Sequence, residues 1–257
     1  MRRIVRFFSF LMTGLLFTGQ IWAQQNAANW KQFIDITETN AVAVKGDSLW
    51  LGTNVGLMKM NTQTGGKKLY NNVNSGLPYS FIHSIAIDQN RNKWLGTDSG
   101  LVKYTGSQFK VFDQQNSKLS GDWVTVVNTD AKGNVWAGLL NGEVFRYDGT
   151  TFHKVYAPGG PNPPGPGPRV SAICVSNSGK IAISYQHIGA IAYKDSSKFN
   201  MLKFPNLYRR PPIKDMMFDA SGNLWAATQR QGIIKYNGQK WTVFDKSNSK
   251  LPTNKTE

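Results

Sequence analysis

A tryptophan returns along this chain at nearly constant intervals, and this repeat constrains the fold more than any other feature. Trp50, Trp94, Trp136 and Trp225 occupy one position of the repeat, and Ala182 holds the same position between the last two. Successive positions are 44, 42, 46 and 43 residues apart. A period of this length is typical of propellers and related arrays, so the chain is expected to contain five consecutive units of one kind.

Each unit contains four short segments rich in β-branched and aromatic residues, separated by Gly, Asn, Asp and Ser. In the second unit these segments fall within "FIHSIAID", "NKWLGTDSGLVKY" and "FKVFD". No convincing helical period occurs after the first 23 residues. Four strands per unit are the pattern of a propeller blade. The predicted fold is all-β, a β-propeller of four-stranded blades with five repeat units and an incomplete ring.

The repeated Trp is interpreted as structural. Residues two apart on a strand share a face, so Trp94 and Gly96 point one way while Leu95 and Thr97 point the other. A large ring beside a residue without a side chain lets a neighbouring sheet lie close and cover the indole. We therefore expect Trp50, Trp94, Trp136 and Trp225 to pack between twisted sheets.

Aspartates begin the turn that precedes three of these tryptophans: Asp88, Asp130 and Asp219. "DAKGN" and "DASGN" suit a type I turn followed by a left-handed residue, which Gly133 or Gly222 adopts without steric cost. The carboxylates are expected to bond the turn's backbone amides. A calcium site is the alternative, but each turn supplies one carboxylate where a calcium loop needs several oxygens.

The same residues resemble a known family. "DASGNLWAAT", "NKWLGTDSGLVKY" and "NSGLP" are similar to the two-component regulator propeller repeat, whereas "SNSGKIAIS" in the fourth unit lacks the Trp. The resemblance covers essentially all of the chain after the leader. It implies an exported sensor domain of a bacterial hybrid histidine kinase, or a stand-alone exported homologue. A related pattern occurs in the streptogramin lyase propellers. Resemblance indicates fold more firmly than function.

The N-terminus has the layout of a secretory signal peptide. Arginines precede the apolar run "FFSFLMTGLLFTG", and Ala23 lies at a suitable cleavage position. An uncleaved membrane anchor is the alternative, but the run is short and interrupted by polar residues and glycines. The only cysteine, Cys174, allows no intramolecular disulfide. A periplasmic or extracellular protein without a stable membrane span is expected.

Loss of the leader removes three arginines and leaves 27 basic and 15 acidic residues, a net charge of +12. A basic exported protein meets anionic glycans or cell-wall polymers before nucleic acid, and no run of like charges suggests a nucleic-acid partner. A generally solvated cationic surface is the alternative.

The predicted domains are a signal peptide at 1–23 and a propeller at 24–257. "WKQF" at 30–33 matches an outer strand without inner strands before it, and "NSKLPTNKTE" leads towards an inner strand that does not follow. We therefore expect a gap in the ring and a piece of a longer sensor, with a histidine kinase module in the same chain or as a partner. The repeat units lie at about 34–78, 79–120, 121–168, 169–211 and 212–252.

A ligand is expected on the face built by the connections between blades and by the loops joining each second and third strand. Aromatic, Arg and amide groups there suit a glycan, through stacking and bidentate contacts to acidic groups. The hypothesis is an acidic oligosaccharide or another small extracytoplasmic ligand. Packing of Phe81 and Trp123 between blades is the alternative for those two residues. The candidate ligand-binding residues are Tyr79, Asp98, Trp123, Asn141, Arg169, His187, Tyr208, Arg209, Arg210, Gln229 and Arg230.

Catalysis is less well supported by the sequence. His83, His153 and His187 fall in different units and strand positions, and none has a metal-ligand partner at suitable spacing. No cofactor, metal site or catalytic residue is predicted. His187 with Asp98 or Asp122 is the least implausible acid–base pair. The binding or sensor module is therefore preferred, with a protein-interaction scaffold and a lyase-like enzyme as alternatives.

Overall fold

The computed structural model describes residues 38–157, 168–186, 191–195, 198–202, 204 and 212–256. The leader, the strand expected at 30–33 and most of the Pro-rich segment that precedes Arg169 lie outside these ranges. Over the described residues the chain contains strands and turns and no helix. Within this part there is accordingly no helix that could span a membrane.

In the described part of the chain five antiparallel sheets follow one another, each with its four strands in sequence order. We call them blades 1 to 5. Blade 1 contains β1 (Thr39–Lys45), β2 (Ser48–Thr53), β3 (Gly56–Asn61) and β4 (Lys67–Tyr70). Blade 2 contains β5 (Ile82–Ile87), β6 (Lys93–Thr97), β7 (Gly100–Tyr104) and β8 (Phe109–Phe112). Blade 3 contains β9 (Val124–Thr129), β10 (Val135–Leu139), β11 (Val144–Tyr147) and β12 (Phe152–Tyr156).

Blade 4 contains β13 (Val170–Val175), β14 (Ile181–Tyr185), β15 (Ile191–Lys194) and β16 (Phe199–Met201). Blade 5 contains β17 (Ile213–Phe218), β18 (Leu224–Thr228), β19 (Ile233–Tyr236) and β20 (Trp241–Phe244). The first strands of successive blades contact each other from β1 through β5, β9 and β13 to β17. The five sheets do not close, so the architecture is the expected incomplete β-propeller. The predicted outer limits of the repeat units stay predictions.

The tryptophans lie between blades. Trp94 of blade 2 is 2% exposed and packs in one cluster with Val127, Val135 and Phe145 of blade 3. Trp136 of blade 3 is buried in the same way among residues of blade 4. Burial of a large aromatic side chain in this way contributes about 2–3 kcal/mol to folding. In blades 1, 2 and 3 the repeated Trp is therefore the side chain that joins one sheet to the next, whereas blade 4 has Ala182 at this position and Trp225 lies on the last described sheet.

The glycine two residues after the Trp explains how close the sheets come. A Cβ atom on Gly96 would lie 2.7 Å from the carbonyl oxygen of Val124 in blade 3. A Cβ atom on Gly138 would lie 2.6 Å from a methyl carbon of Val170 in blade 4. Real Cβ atoms do not approach other atoms so closely, so the packing predicted from the Trp-x-Gly pattern requires the absent side chain.

The aspartate turns hold the indole as well as the backbone. Asp88 accepts hydrogen bonds from the backbone N–H of Asn92 at 2.8 Å and from Trp94 Nε1 at 2.9 Å. Asp130 bonds Trp136 and Asp219 bonds Trp225 through the same atoms, at 2.9 and 2.8 Å. The expected bonds to turn amides are present, and the bond to the indole is an additional one. Each aspartate satisfies the one polar group of a largely apolar ring.

Candidate functional site

Two sets of loops meet at one end of the blades. The backbone N–H of Leu140, in the loop between β10 and β11, donates to the carbonyl of Trp123, just before β9, at 3.0 Å. Gln186 donates in the same way to Arg169 at 2.8 Å, and Gln229 to Pro212 at 2.9 Å. In blades 3, 4 and 5 these bonds tie the loop after the second strand to the lead-in of the first strand. The loops and connections from which a ligand face was predicted are therefore neighbours.

An aromatic and ionisable cluster lies at this end, across blades 2 and 3. Trp123 Nε1 donates to His83 Nε2 at 2.8 Å, and the two rings stack with centroids 5.7 Å apart. The same His83 nitrogen lies 3.0 Å from Asp98 Oδ1. The ring of Phe81 lies 4.9 Å from the imidazole on the same strand segment. The cluster therefore joins the lead-ins of two first strands with the loop between β6 and β7.

Nε2 of His83 cannot serve both partners at once. When Nε2 carries no proton, it accepts a hydrogen bond from the Trp123 indole N–H. When Nε2 carries a proton, it donates a hydrogen bond to Asp98. Burial lowers the pKa of His83 below its ordinary value of 6.5; Asp98 acts against this shift, and the charge of Arg169 adds to it. The lowered pKa favours the neutral ring at neutral pH, and the neutral tautomer with its proton on Nδ1 is the form that accepts from Trp123.

The aromatic rings of the cluster face solvent. The His83 side chain is only 9% exposed, but Phe81 is 36% and Trp123 is 41% exposed. Trp123 also stacks on His83 of the neighbouring blade, so packing between blades stays the alternative for these two residues. The arrangement is a buried polar centre with two accessible ring faces beside it.

Arg169 brings a positive charge to this end. It precedes β13, it is partly buried, and its charge acts on His83. Burial lowers the pKa of its guanidinium. The ion pairs of the described part of the chain join His83 to Asp98, His153 to Asp148, Lys154 to Glu143 and Lys180 to Asp195, and Arg169 takes part in none of them. A partly desolvated guanidinium without an acidic partner there is suited to an anion.

Asn141 belongs to a different cluster. Its side-chain amide lies near Ser120 and Glu143, and Glu143 also accepts a hydrogen bond from Ser120 and pairs with Lys154 at 2.6 Å. Burial raises the pKa of Glu143, but the bonds from Lys154 and Ser120 outweigh this effect and the pKa is lowered. This cluster satisfies its own charges and leaves little for a ligand.

The remaining predicted residues are dispersed or undescribed. Tyr79 is exposed two residues before Phe81, and Gln229 and Arg230 lie on the loop between β18 and β19, where Arg230 is exposed. Within the described part of the chain, no hydrogen bond, ion pair or ring contact joins these three side chains to His83. His187, Tyr208, Arg209 and Arg210 lie outside the described residues, so their proposed grouping stays a prediction.

His83 is the central residue that the sequence interpretation placed outside the site. The least implausible acid–base pair from the sequence is His187 with Asp98 or Asp122; His187 lies outside the described residues, and the structure places Asp98 beside His83. A signal was present, because His83 shares a strand face with Phe81, and Trp123 holds the Phe81 position in the next repeat. Only the packing of blade 2 on blade 3 brings Trp123 against that face.

Comparison with known proteins supports the fold. No family model and no curated protein matches the chain. Two similar solved structures are extracellular domains of proteins described as hybrid two-component systems of B. thetaiotaomicron. One has a TM-score of 0.65 and 18% identity over 85% of this chain, and the other 0.65 and 17% over 87%. The chain spans only 29% and 31% of their lengths.

A third similar structure is virginiamycin B lyase from Staphylococcus aureus. It has a TM-score of 0.65 and 14% identity, and the match covers 82% of this chain and 71% of the lyase. Sensor and enzyme propellers thus resemble this chain to the same degree, at identities where likeness reports the fold alone.

Proposed function

We propose that this chain is an exported ligand-binding sensor propeller, and that its ligand is an acidic oligosaccharide. Phe81, His83, Asp98, Trp123 and Arg169 form the proposed site, which we call the His83 surface. The observation that carries the proposal is the exposed Trp123 ring, held by a buried histidine on the face where Arg169 lacks an acidic partner among the described residues.

The chemistry of these groups matches an acidic sugar. A sugar ring presents C–H groups that pack on an indole face, and a uronate carboxylate accepts two hydrogen bonds from a guanidinium. The positive net charge attracts anionic polymers. The leader, and the extracellular two-component domains with the same fold, support export and a signalling role with a histidine kinase module.

The test is calorimetric titration of the chain with an oligogalacturonate and with a neutral oligosaccharide of equal length. Binding of the uronate is expected to weaken at least about tenfold in Trp123→Ala and in Arg169→Gln, and to weaken as salt rises. Lys132→Gln is the matched control, because it removes one positive charge from the turn at the opposite end of blade 3. Equal affinities in all four proteins would refute the site.

A lyase-like enzyme is the second candidate, because His83 and Asp98 are a histidine and a carboxylate that converge on the same face. The geometry favours binding over catalysis, since the Nε2 lone pair that would take a proton already accepts from Trp123. Prolonged incubation with the uronate oligomer tests this candidate. Formation of an unsaturated product that disappears in His83→Gln would support the enzyme.

A further inference from the structure

The basic side chains of blades 1 and 2 are gathered at one end of the strands. Residues 38–112 contain eight basic and four acidic residues. Lys45 ends β1 and Arg91 lies in the turn between β5 and β6, so both lie at the end where the first strand of a blade turns into the second. We call this end the turn end, and the His83 surface lies at the other. The remaining six basic residues also lie at the turn end, on β3, β4, β6, β7 and β8, and we call them the lysine surface: Lys59, Lys67, Lys68, Lys93, Lys103 and Lys110.

The acidic residues of these two blades do not balance this charge. Glu38 and Asp98 lie at the opposite end, before β1 and between β6 and β7. Asp47 and Asp88 lie at the turn end, but Asp88 is buried and already accepts hydrogen bonds from the Trp94 indole and from the turn. The turn end of blades 1 and 2 therefore carries eight basic residues against two acidic ones. None of the ion pairs in the described part of the chain includes a member of the lysine surface.

Like charges lie directly opposite each other in both blades. Lys59 on β3 pairs with Lys68 on β4, and Lys103 on β7 pairs with Lys110 on β8. Like charges opposed on neighbouring strands destabilise a sheet. Blade 5 forms the same four-stranded sheet with Lys235 opposite a threonine. A second lysine at this level is therefore not needed to build a blade, and blades 1 and 2 both carry one.

The lysines cover aromatic rings that are themselves buried. Lys59 and Lys93 lie over the Trp50 ring, 5.6 and 4.4 Å from its centroid, and Trp50 is 4% exposed. Burial lowers the pKa of Lys93, the positive charge of Lys59 adds to this shift, and Asp88 acts against it. The turn end thus presents ammonium groups that repel one another, and no open indole face on which a sugar could stack. Anions placed among these groups would relieve the repulsion.

We propose that the lysine surface binds a polyanionic polysaccharide through ammonium–anion contacts spread over blades 1 and 2. Each blade contributes one opposed lysine pair, so a chain with repeated sulfate or carboxylate groups can meet both pairs at once. An anionic membrane fits this end less well, because interfacial binding buries apolar side chains. Among the described residues of the two blades, Val44 is the only large apolar side chain exposed at the turn end. The inference does not rest on the function proposed for the His83 surface.

Calorimetric titration with dextran sulfate, and with neutral dextran of equal length, tests the proposal. The original chain should bind dextran sulfate with an affinity that falls as salt rises, and should not bind dextran. Lys68→Gln/Lys110→Gln removes one exposed lysine from each opposed pair and should weaken binding at least about tenfold. Lys118→Gln/Lys246→Gln is the matched control, because it removes two exposed lysines that follow β8 and β20, at the opposite end of the blades. This control should bind as the original chain does.

Protection from acetylation gives a second measurement that needs no variant. Dextran sulfate should protect Lys68 and Lys110 of the original chain and leave Lys118 and Lys246 reactive. Equal protection at both ends, or equal weakening in the two double variants, would attribute binding to net charge and overturn the proposal.

Two further arms separate this surface from other partners and from the His83 surface. Tighter binding to phosphatidylglycerol vesicles than to dextran sulfate, lost in Lys68→Gln/Lys110→Gln, would identify a membrane as the partner and overturn the polysaccharide. Trp123→Ala should leave dextran sulfate binding unchanged, even where it abolishes binding of the oligogalacturonate. Loss of dextran sulfate binding in Trp123→Ala would place the polyanion on the His83 surface and also overturn the proposal.

Discussion

Trp123 of blade 3 donates its indole N–H to Nε2 of His83 in blade 2 at 2.8 Å, and that nitrogen also lies 3.0 Å from Asp98. One nitrogen thus faces a donor on one side and an acceptor on the other. Its proton decides which of the two it bonds. The hydrogen bond that holds the Trp123 ring in the proposed ligand site therefore depends on the protonation state of His83 Nε2.

The first prediction concerns pH. Because burial lowers the pKa of His83 in the folded chain below 6.5, the unfolded chain binds a proton that the folded chain does not. The contribution of His83 to stability is then complete above about pH 6.5 and declines as pH falls towards the folded-state pKa. Denaturant unfolding between about pH 5 and 8 should show this decline, and His83→Gln should flatten it.

Asp98→Asn gives the opposite test of the same group. Removal of the carboxylate that raises the pKa of His83 should lower this pKa further and steepen the loss of stability below about pH 6.5. Equal slopes in the original chain, His83→Gln and Asp98→Asn would contradict the assignment.

The second prediction concerns the aspartate that holds the indole in blade 2. Asp88→Ala leaves the buried Trp94 Nε1 and the Asn92 amide without their acceptor, and should reduce the free energy of unfolding by about 1–3 kcal/mol. Asp47→Ala is the control, because Asp47 is exposed in the corresponding turn of blade 1 and bonds Thr62 through its backbone carbonyl. Thermal and chemical denaturation measure the free energy of unfolding of both variants. An equal loss of stability in Asp88→Ala and Asp47→Ala would contradict a stabilising role for the indole hydrogen bond.

The third prediction concerns acid. Hydrogen bonds from Trp225 and Asn223 lower the pKa of Asp219 to about 2. A carboxyl group whose pKa is lowered by folding stabilises the folded chain at pH values above its unfolded-state pKa of about 4. This stabilisation is lost as pH falls towards 2. The chain should therefore lose stability in this window, and Asp219→Asn should lose less there while being less stable at pH 7. Acid unfolding of both proteins, monitored by circular dichroism, measures this difference. The same acid-unfolding profile for Asp219→Asn and the original chain would contradict the prediction.

The fourth prediction concerns the spacing of the sheets. Gly96→Ala places a methyl group 2.7 Å from the Val124 carbonyl oxygen of blade 3, so the sheets must separate, at a cost of about 1–3 kcal/mol. Gly121→Ala is the matched control, since its methyl group would meet Leu139 at an ordinary 3.6 Å. The midpoint of denaturant unfolding should fall for Gly96→Ala and change little for Gly121→Ala. A similar midpoint for both would show that the sheets adjust freely.

The fold could be predicted from the sequence because its information is local and repeated. The position of Trp94 relative to Gly96 specifies one strand face, and the same spacing in the other units specifies the same packing each time. The Asp88 turn was also predictable, since carboxylates bond nearby turn amides. The bond from Asp88 to the Trp94 indole, six residues away, was missed because it depends on the path of the strand after the turn.

The candidate site depended on the tertiary structure. The loop after a second strand marked Asp98 as a ligand group, and the connections between repeats marked Trp123 and Arg169, but His83 was set aside because the histidines fall in different units and strand positions. His83 and Trp123 are 40 residues apart, and their contact exists only because blade 3 packs on blade 2. The sequence by itself determined which faces each sheet buries, through the period of two along a strand. The tertiary structure decided which side chains of different sheets meet. These contacts depend on the separation and angle between packed blades, and local sequence patterns do not specify either quantity.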